Sequence, residues 1–130
     1  MTIELSVDLP VSASALYKAW LNSEQHTAMT GSEAIVSDKE GDSFSAWNEY
    51  ISGKNLELIP ETKIRQTWRT TDFPDDQPDS ELALEFIPTE TGTRIKLLHT
   101  KLTNADYHYK AGWEEHYFEP MAVYFASLNF

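Results

Sequence analysis

The chain has 130 residues, which suits one domain, and 41% of them are hydrophobic, which is enough to build a core. Cysteine is absent, so disulfides, thiol catalysis and thiolate metal sites are excluded, and a reducing compartment, the cytoplasm, is expected. The formal net charge of −11 opposes binding to phosphate backbones and to anionic lipid headgroups, so we expect neither nucleic acid nor membrane partners.

The beginning of the chain predicts one strand followed by two short helices. Residues 2–9 alternate apolar and polar side chains, and a period of two indicates a strand with one buried face. Ser12 can then cap a helix that carries an apolar stripe along one side. Asn22 or Ser23 can cap a second short helix that ends near Gly31.

Residues 33–102 predict an antiparallel meander. Turn-forming residues separate the apolar runs at 38–41, near 53, at 60–61, at 74–78 and at 88–92. Within these runs apolar and polar side chains alternate, which is typical of a sheet with one face in water. Gly53 interrupts the run 49–59 and predicts a bulge or bend there. Together with the first strand, we expect a sheet of about six to seven strands.

The end of the chain predicts a long helix. From about Asp106 the aromatic residues recur at helical spacing, and the pattern continues for roughly 20 residues, or about 30 Å. Pro120 lies inside this helix, where it removes one backbone donor and clashes with the preceding turn. We therefore predict a kink near His116–Pro120.

The order of these elements predicts an α+β fold with two layers. The long helix must bury its aromatic stripe and the sheet must bury its apolar face, and each can cover the other. We expect residues 1–130 to form one domain, in which a curved antiparallel sheet wraps around the C-terminal helix and two short helices follow the first strand.

Two stretches of the chain resemble a known family. They are residues 59–69, IPETKIRQTWR, and residues 112–120, GWEEHYFEP. With Gly92-Thr93 and Leu98-His99, they resemble the C-terminal domain of activators of the heat-shock-protein-90 ATPase, whose bacterial stand-alone relatives belong to the START-like, birch-pollen-allergen-like superfamily. The resemblance implies a helix-grip fold with a cavity between sheet and helix that often takes an apolar small molecule. It implies no common reaction, because the members range from lipid carriers to cyclases and cochaperones.

The candidate ligand site is the space between the sheet and the C-terminal helix. Strand parity turns Gln66 and His99 inward, where each needs a partner from the core backbone, from water or from a ligand. The residues expected to line a cavity are Trp20, Gln66, Trp68, Phe86, Leu97, His99, Trp113, Tyr117 and Met121. The histidines and carboxylates show no metal-binding or catalytic signature, so we predict no metal, no cofactor and no assigned catalytic residue.

Three functions compete at this point. The first is a binding module that holds an apolar or amphipathic molecule between sheet and helix. The second is a protein-interaction module related to the chaperone activators, with a possible role as a chaperone cofactor in stress response. The third is a cyclase-like or hydrolytic enzyme in the same cavity, for which His99 is the one acid–base candidate. An enzyme is the less favoured interpretation.

Overall fold

The computed structural model describes residues 1–128, so positions 129 and 130 of the expected domain lie outside the described residues. Six antiparallel strands form one sheet in the order β1-β6-β5-β4-β3-β2. The strands are β1 (Ile3–Leu9), β2 (Ser43–Ala46), β3 (Ile51–Ile59), β4 (Lys63–Thr70), β5 (Ser80–Thr89) and β6 (Gly92–Thr100). The predicted meander and the lower of the two expected strand counts are confirmed.

Two short helices, α1 (Ala13–Trp20) and α2 (Ser23–Thr30), follow β1. The Ser12 side chain accepts a hydrogen bond from a backbone N–H of the first turn of α1, and Asn22 does the same for α2. These bonds satisfy donors that a helix start leaves free, which is why the chain turns into helices here. Gly31 ends α2 in a left-handed conformation with φ of 83°. The predicted helices and their caps are therefore confirmed.

The third strand differs from the expectation in two details. It begins at Ile51, because residues 47–50 form a tight turn. The register against β4 shifts between Asn55 and Glu57, so the predicted bulge lies beyond Gly53. At Gly53 the Thr67 carbonyl oxygen instead approaches so closely that it would lie 1.9 Å from an added Cβ. Glycine is required here because no side chain fits between the two strands.

The helical end of the chain runs from Tyr109 to Leu128, and we call this segment the C-terminal helix. It comprises α3 (Tyr109–Trp113), a π-helical turn (Glu114–Phe118) and α4 (Glu119–Leu128). A short 3₁₀ turn precedes it, in which Thr103 and Asp106 cap each other reciprocally. Pro120 is the second residue of α4, so it lies in the first turn after the π turn. The backbone therefore leaves α geometry where a kink was predicted, but it does so as a wide turn that lets the helix continue.

The core lies between the inner face of the sheet and the helices. Residues at alternate positions of β4, β5 and β6 are buried, as strand parity predicted. α1 packs against β5, and α2 packs against the C-terminal helix. All nine residues that were expected to line a cavity are buried, with at most 4% of any of them exposed. The curved sheet and the long helix are those of a helix-grip fold.

Candidate functional site

A cleft of about 370 Å³ opens between the C-terminal helix and the edge of the sheet at which β3 begins and β4 ends. This volume lies within the range of small-molecule sites in proteins. Most of the lining side chains are aromatic. The lining residues are Trp47, Tyr50, Ile51, Trp68, His108, Tyr109, Ala111, Gly112, Trp113, Glu115, His116 and Tyr117.

The inner wall of the cleft is a cluster of packed aromatic rings. The ring of Trp68 lies 5.0 Å from that of Tyr109 and 5.6 Å from that of Trp113, measured between centroids. Trp113 in turn lies 4.9 Å from Tyr117. The Tyr109 hydroxyl is hydrogen-bonded to the Thr70 hydroxyl, so the polar end of this ring is satisfied away from the cleft. The wall thus offers a rigid and largely apolar surface.

The opposite wall is built by a turn in an unusual conformation. Trp47, Asn48 and Glu49 have φ values of 53°, 55° and 70°, so three successive residues other than glycine lie in the left-handed region. This conformation costs about 1–2 kcal/mol per residue, although asparagine tolerates it better. Surrounding bonds hold the turn: Asn48 and Glu33 exchange two hydrogen bonds of 3.0 Å each. Such strain is often found at functional sites.

The strained turn presents the Trp47 indole to the cleft. Its ring meets His116 edge-on at 5.3 Å and Tyr117 at 6.5 Å between centroids. The Trp47 Nε1 atom is buried and makes no hydrogen bond to any group in residues 1–128. Burial raises the pKa of the Tyr117 hydroxyl, and the Trp47 indole N–H beside it offsets part of that rise. A buried donor that lacks an acceptor costs about 1–3 kcal/mol.

The π turn forms the rim of the cleft on the helix side. Glu115 and His116 are exposed, Tyr117 is buried, and all three line the cleft. A π turn widens the helix by one residue, and such turns are frequent at functional sites. The rim therefore combines a carboxylate and an imidazole with an apolar interior, which suits a molecule that has one polar end.

His99 does not line the cleft; it belongs to a hydrogen-bonded chain behind the aromatic wall. The Trp113 indole N–H donates to His99 Nδ1 over 3.0 Å, so this nitrogen carries no proton. The other nitrogen, Nε2, then donates to Ser80 Oγ over 2.8 Å, and Ser80 donates to the Trp68 carbonyl. Burial lowers the pKa of His99 to about 3, against a smaller opposing effect of Asp106. With both nitrogens engaged, His99 has no position from which to transfer a proton to a bound substrate.

Gln66 is likewise satisfied within the protein. Its side-chain oxygen accepts from the Trp20 indole over 3.3 Å, and its nitrogen donates to the Asn55 side chain over 2.8 Å. Asn55 donates in turn to the carbonyls of Ser37 and Lys39. This chain ties α1 to the loop before β2. The partner that Gln66 required is therefore a protein group, and Gln66 does not line the cleft.

The hydrogen-bonded pair of His26 and Tyr117 lies behind the wall of the cleft. His26 Nδ1 donates to the Trp20 carbonyl over 2.8 Å, because a carbonyl can only accept. The Tyr117 hydroxyl donates to His26 Nε2 over 2.9 Å and is thereby oriented away from solvent. Burial lowers the pKa of His26 to about 4, partly offset by the bond to the Trp20 backbone. The pair joins α2 to the C-terminal helix.

Three of the nine sequence-predicted residues line the cleft: Trp68, Trp113 and Tyr117. The ring of Trp20 packs behind this wall, 5.0 Å from that of Tyr117. Gln66, Phe86, Leu97, His99 and Met121 are buried elsewhere in the core. Trp47 was missed by sequence reasoning, because it lies in a segment that was interpreted as part of a strand region. Its flanking polar residues Asn48 and Glu49 were the available turn signal.

Neither a cluster of metal-ligating side chains nor a membrane-spanning helix occurs in residues 1–128. Within this range no group of three or more histidine, aspartate or glutamate side chains is arranged to hold a metal ion. Among the helices of the same residues, none has the length and apolar character that crossing a bilayer requires.

The fold and the cleft together define a START-like protein of the helix-grip class. A sequence model of the family described as "Activator of Hsp90 ATPase homolog 1-like protein" matches residues 10–126. The chain belongs to this family, as the two resembling stretches indicated.

Solved structures and a curated relative agree with this assignment. An Hsp90 activator from Plasmodium falciparum is 25% identical, with a TM-score of 0.85 over 95% of this chain and 94% of that one. A protein from Mesorhizobium loti shares the fold with a TM-score of 0.85 over both full chains, at 15% identity. An activator homologue of the 90 kDa heat shock protein ATPase from Dictyostelium discoideum is 25% identical over 115 residues. This match covers 87% of the chain but 30% of the relative.

Proposed function

We propose that this protein binds a small amphipathic molecule in the cleft between the sheet and the C-terminal helix. The observation that carries the proposal is the cleft of about 370 Å³, whose wall is made of packed aromatic rings. An apolar body can displace water from the rings of Trp68 and Trp113. A polar end can meet the rim at Glu115 and His116.

Amide NMR spectra recorded with and without fatty acids, sterols and flavonoids test this proposal. We expect shifts concentrated on residues 47–51 and 108–117, which surround the cleft. Spectra that remain unchanged by every compound would count against ligand binding. Shifts spread over the outer face of the sheet would indicate unspecific adsorption instead of a site.

Filling the cleft should abolish binding. Gly112 lines the cleft, and no atom lies within 4 Å of the position that its Cβ would take. We expect Gly112→Leu to raise the Kd of any ligand found in the screen at least about tenfold, equivalent to about 1.4 kcal/mol, because the leucine occupies the ligand's space. Isothermal titration measures the change. Gly112→Ala is the matched control, and equal losses in both variants would contradict the role of the cleft.

We propose chaperone binding as a second candidate function. The family assignment favours it, as does the Hsp90 activator from Plasmodium falciparum, which is similar over nearly the whole chain. The net charge of −11 would allow contact with a basic surface of the partner. Sedimentation of the protein with a purified Hsp90-type chaperone tests this at low and at high salt. Co-migration at low salt that weakens at high salt would support it, and separate migration at low salt would refute it.

We propose no reaction for the cleft. The acid–base candidate, His99, is engaged at both nitrogens and lies behind the aromatic wall. The cytoplasm remains the proposed location, supported by the absence of cysteine.

A further inference from the structure

We propose that the cleft selects small organic cations, such as a quaternary ammonium group on an apolar body, over anions of the same size. This inference rests on the proposed ligand-binding function and names the chemical class that the cleft would take. Three observations on the described residues carry it: the charge of the lining, the lack of basic side chains paired with that charge, and the aromatic rings of the wall.

The lining of the cleft carries negative charge. Among the described residues that line it, Glu115 is the one carboxylate, and neither lysine nor arginine is present. A second carboxylate lies behind the lining, because Asp72 accepts a 2.6 Å hydrogen bond from the Tyr50 hydroxyl. An imidazole is ordinarily neutral above pH 7, so the lining histidines, His108 and His116, add no positive charge there. An anionic ligand would therefore be repelled and would find no basic partner.

The basic residues that could neutralise this charge are engaged elsewhere. In residues 1–128 every ion pair involves a lysine or arginine of β4, of β6 or of the residue that follows β6. In the two strands these side chains occupy the positions that alternate with the buried ones, so they lie on the outer face of the sheet. Neither Glu115 nor Asp72 takes part in an ion pair within the described range. Negative charge is therefore paired on the outer face of the sheet and unpaired beside the cleft.

The aromatic wall supplies a second means of attracting a cation. The ring faces of tryptophan and tyrosine carry partial negative charge and attract an ammonium group within about 6 Å of the ring centroid. Trp47 and Tyr50 line the cleft and are only half-buried. The rings of Trp68 and Trp113, 5.6 Å apart between centroids, belong to its inner wall. Tryptophan gives the strongest contacts of this kind, so the composition of the wall favours a cation over a neutral ligand.

The position of Glu115 limits the cost of binding a charged group. A fully buried ion loses its hydration, and one partner seldom compensates for that loss. Glu115 is exposed and lies on the rim, so a cation beside it keeps part of its hydration while its apolar body contacts the rings. The cleft therefore fits an amphipathic ligand that carries one positive charge at its outer end.

Three naphthalene derivatives test the inference at pH 8, where an imidazole is ordinarily neutral. Naphthylmethyl-trimethylammonium is a cation, naphthylmethanesulfonate is an anion, and naphthylmethanol is neutral. We expect the unmodified protein to bind the ammonium compound about tenfold more tightly than the sulfonate. An exposed ion pair and a cation–π contact each contribute about twofold to fivefold to this ratio. Isothermal titration at low salt measures the affinities.

Two variants with the same change of charge locate the preference. Glu115→Gln removes the carboxylate of the lining, and we expect the ratio of the two affinities to fall to about threefold. Glu114→Gln is the matched control, since Glu114 is the preceding residue of the π turn, is also exposed and does not line the cleft. The control should keep a ratio of about tenfold. Equal ratios in the two variants would overturn the inference, because the preference would then come from the net charge of the chain.

A third variant shows whether the cation binds inside the cleft. Gly112→Leu fills the cleft, so we expect it to raise the Kd of the ammonium compound at least about tenfold, whereas Gly112→Ala should not. Unchanged ammonium binding in Gly112→Leu would overturn the inference, because the cation would then bind to the acidic surface outside the cleft.

The neutral probe separates the inference from the proposed function. Binding of naphthylmethanol together with equal affinities for the ammonium compound and the sulfonate would overturn the inference alone, because the cleft would still bind ligands. Tighter binding of the sulfonate than of the ammonium compound would have the same meaning. Absence of binding by all three probes would overturn both the inference and the proposed function.

Discussion

Gly53→Ala is expected to lower the free energy of unfolding by about 3 kcal/mol or more. Its Cβ would lie 1.9 Å from the Thr67 carbonyl oxygen and 2.7 Å from Cε1 of Phe44. The first contact is with backbone in the middle of the sheet, so β3 and β4 must separate to relieve it. Overpacking of this kind typically costs 1–3 kcal/mol, and a rigid neighbour places Gly53 at the upper end (about 3 kcal/mol). Denaturant unfolding at neutral pH measures the loss.

Gly112→Ala is the matched control, and we expect the opposite sign. Gly112 lies in α3, and its Cβ position is open. Alanine is a better helix former than glycine, so the free energy of unfolding should rise by about 0.5–1 kcal/mol. A Gly53→Ala variant that is as stable as the unmodified protein would show that β3 and β4 are not as close as described.

The protein is expected to lose about 4 kcal/mol of stability between pH 7 and pH 5. Burial lowers the pKa of His26 to about 4 and that of His99 to about 3, from an ordinary value of 6.5. The unfolded state therefore binds more protons than the folded state in this window. The contribution of each histidine is complete above pH 6.5 and is lost as the pH falls towards the folded pKa. Linkage gives about 2 kcal/mol for each histidine by pH 5.

The interactions of the two histidines strengthen this expectation. Protonation of His99 at Nδ1 would set an N–H against the Trp113 indole N–H, which is itself a donor. The pKa of Asp106 is also lowered: hydrogen bonds from Thr103 and Gln77 outweigh the opposing effect of burial. The contribution of Asp106 to the free energy of unfolding is therefore lost only at a pH below the window from pH 7 to pH 5. The histidines therefore dominate the window between pH 7 and pH 5.

Urea unfolding at several pH values measures this loss. His26→Gln and His99→Gln should each reduce the pH-dependent part to about 2 kcal/mol, whatever they do to the stability at pH 7. Equal stability of the unmodified protein at pH 7 and pH 5 would mean that neither histidine is held neutral by the fold.

Much of the fold could be predicted because it depends on local periodicity. Alternation identified the inward rows of β4 and β6, including Gln66 and His99, and cap residues located α1 and α2. These signals lie within a few residues of one another in the sequence. The partners of the inward polar groups could not be predicted. Ser80 and Trp113 reach His99 from different elements, and sequence alone does not show which donor meets which acceptor.

The cleft was predicted only in part, for a related reason. Trp68, Trp113 and Tyr117 were placed between sheet and helix by periodicity, and the structure finds them in its wall. Trp47 was missed because its position depends on a left-handed turn. Glycine is the usual sequence signal of a left-handed turn, and residues 47–49 contain no glycine. Only the surrounding contacts hold such a backbone, and these are set by the complete fold.

The π turn affects which side of the C-terminal helix faces the core along its length. Residues at intervals of four, Tyr109, Trp113, Tyr117, Met121 and Phe125, are all buried with at most 7% exposed. In a regular α-helix with 3.6 residues per turn, each step of four rotates a side chain by about 40° beyond a full turn. Four steps would carry Phe125 nearly to the opposite side. The wider turn at Glu114–Phe118 takes up part of this rotation. The π turn therefore keeps these five side chains on the same side of the helix, where they face the core.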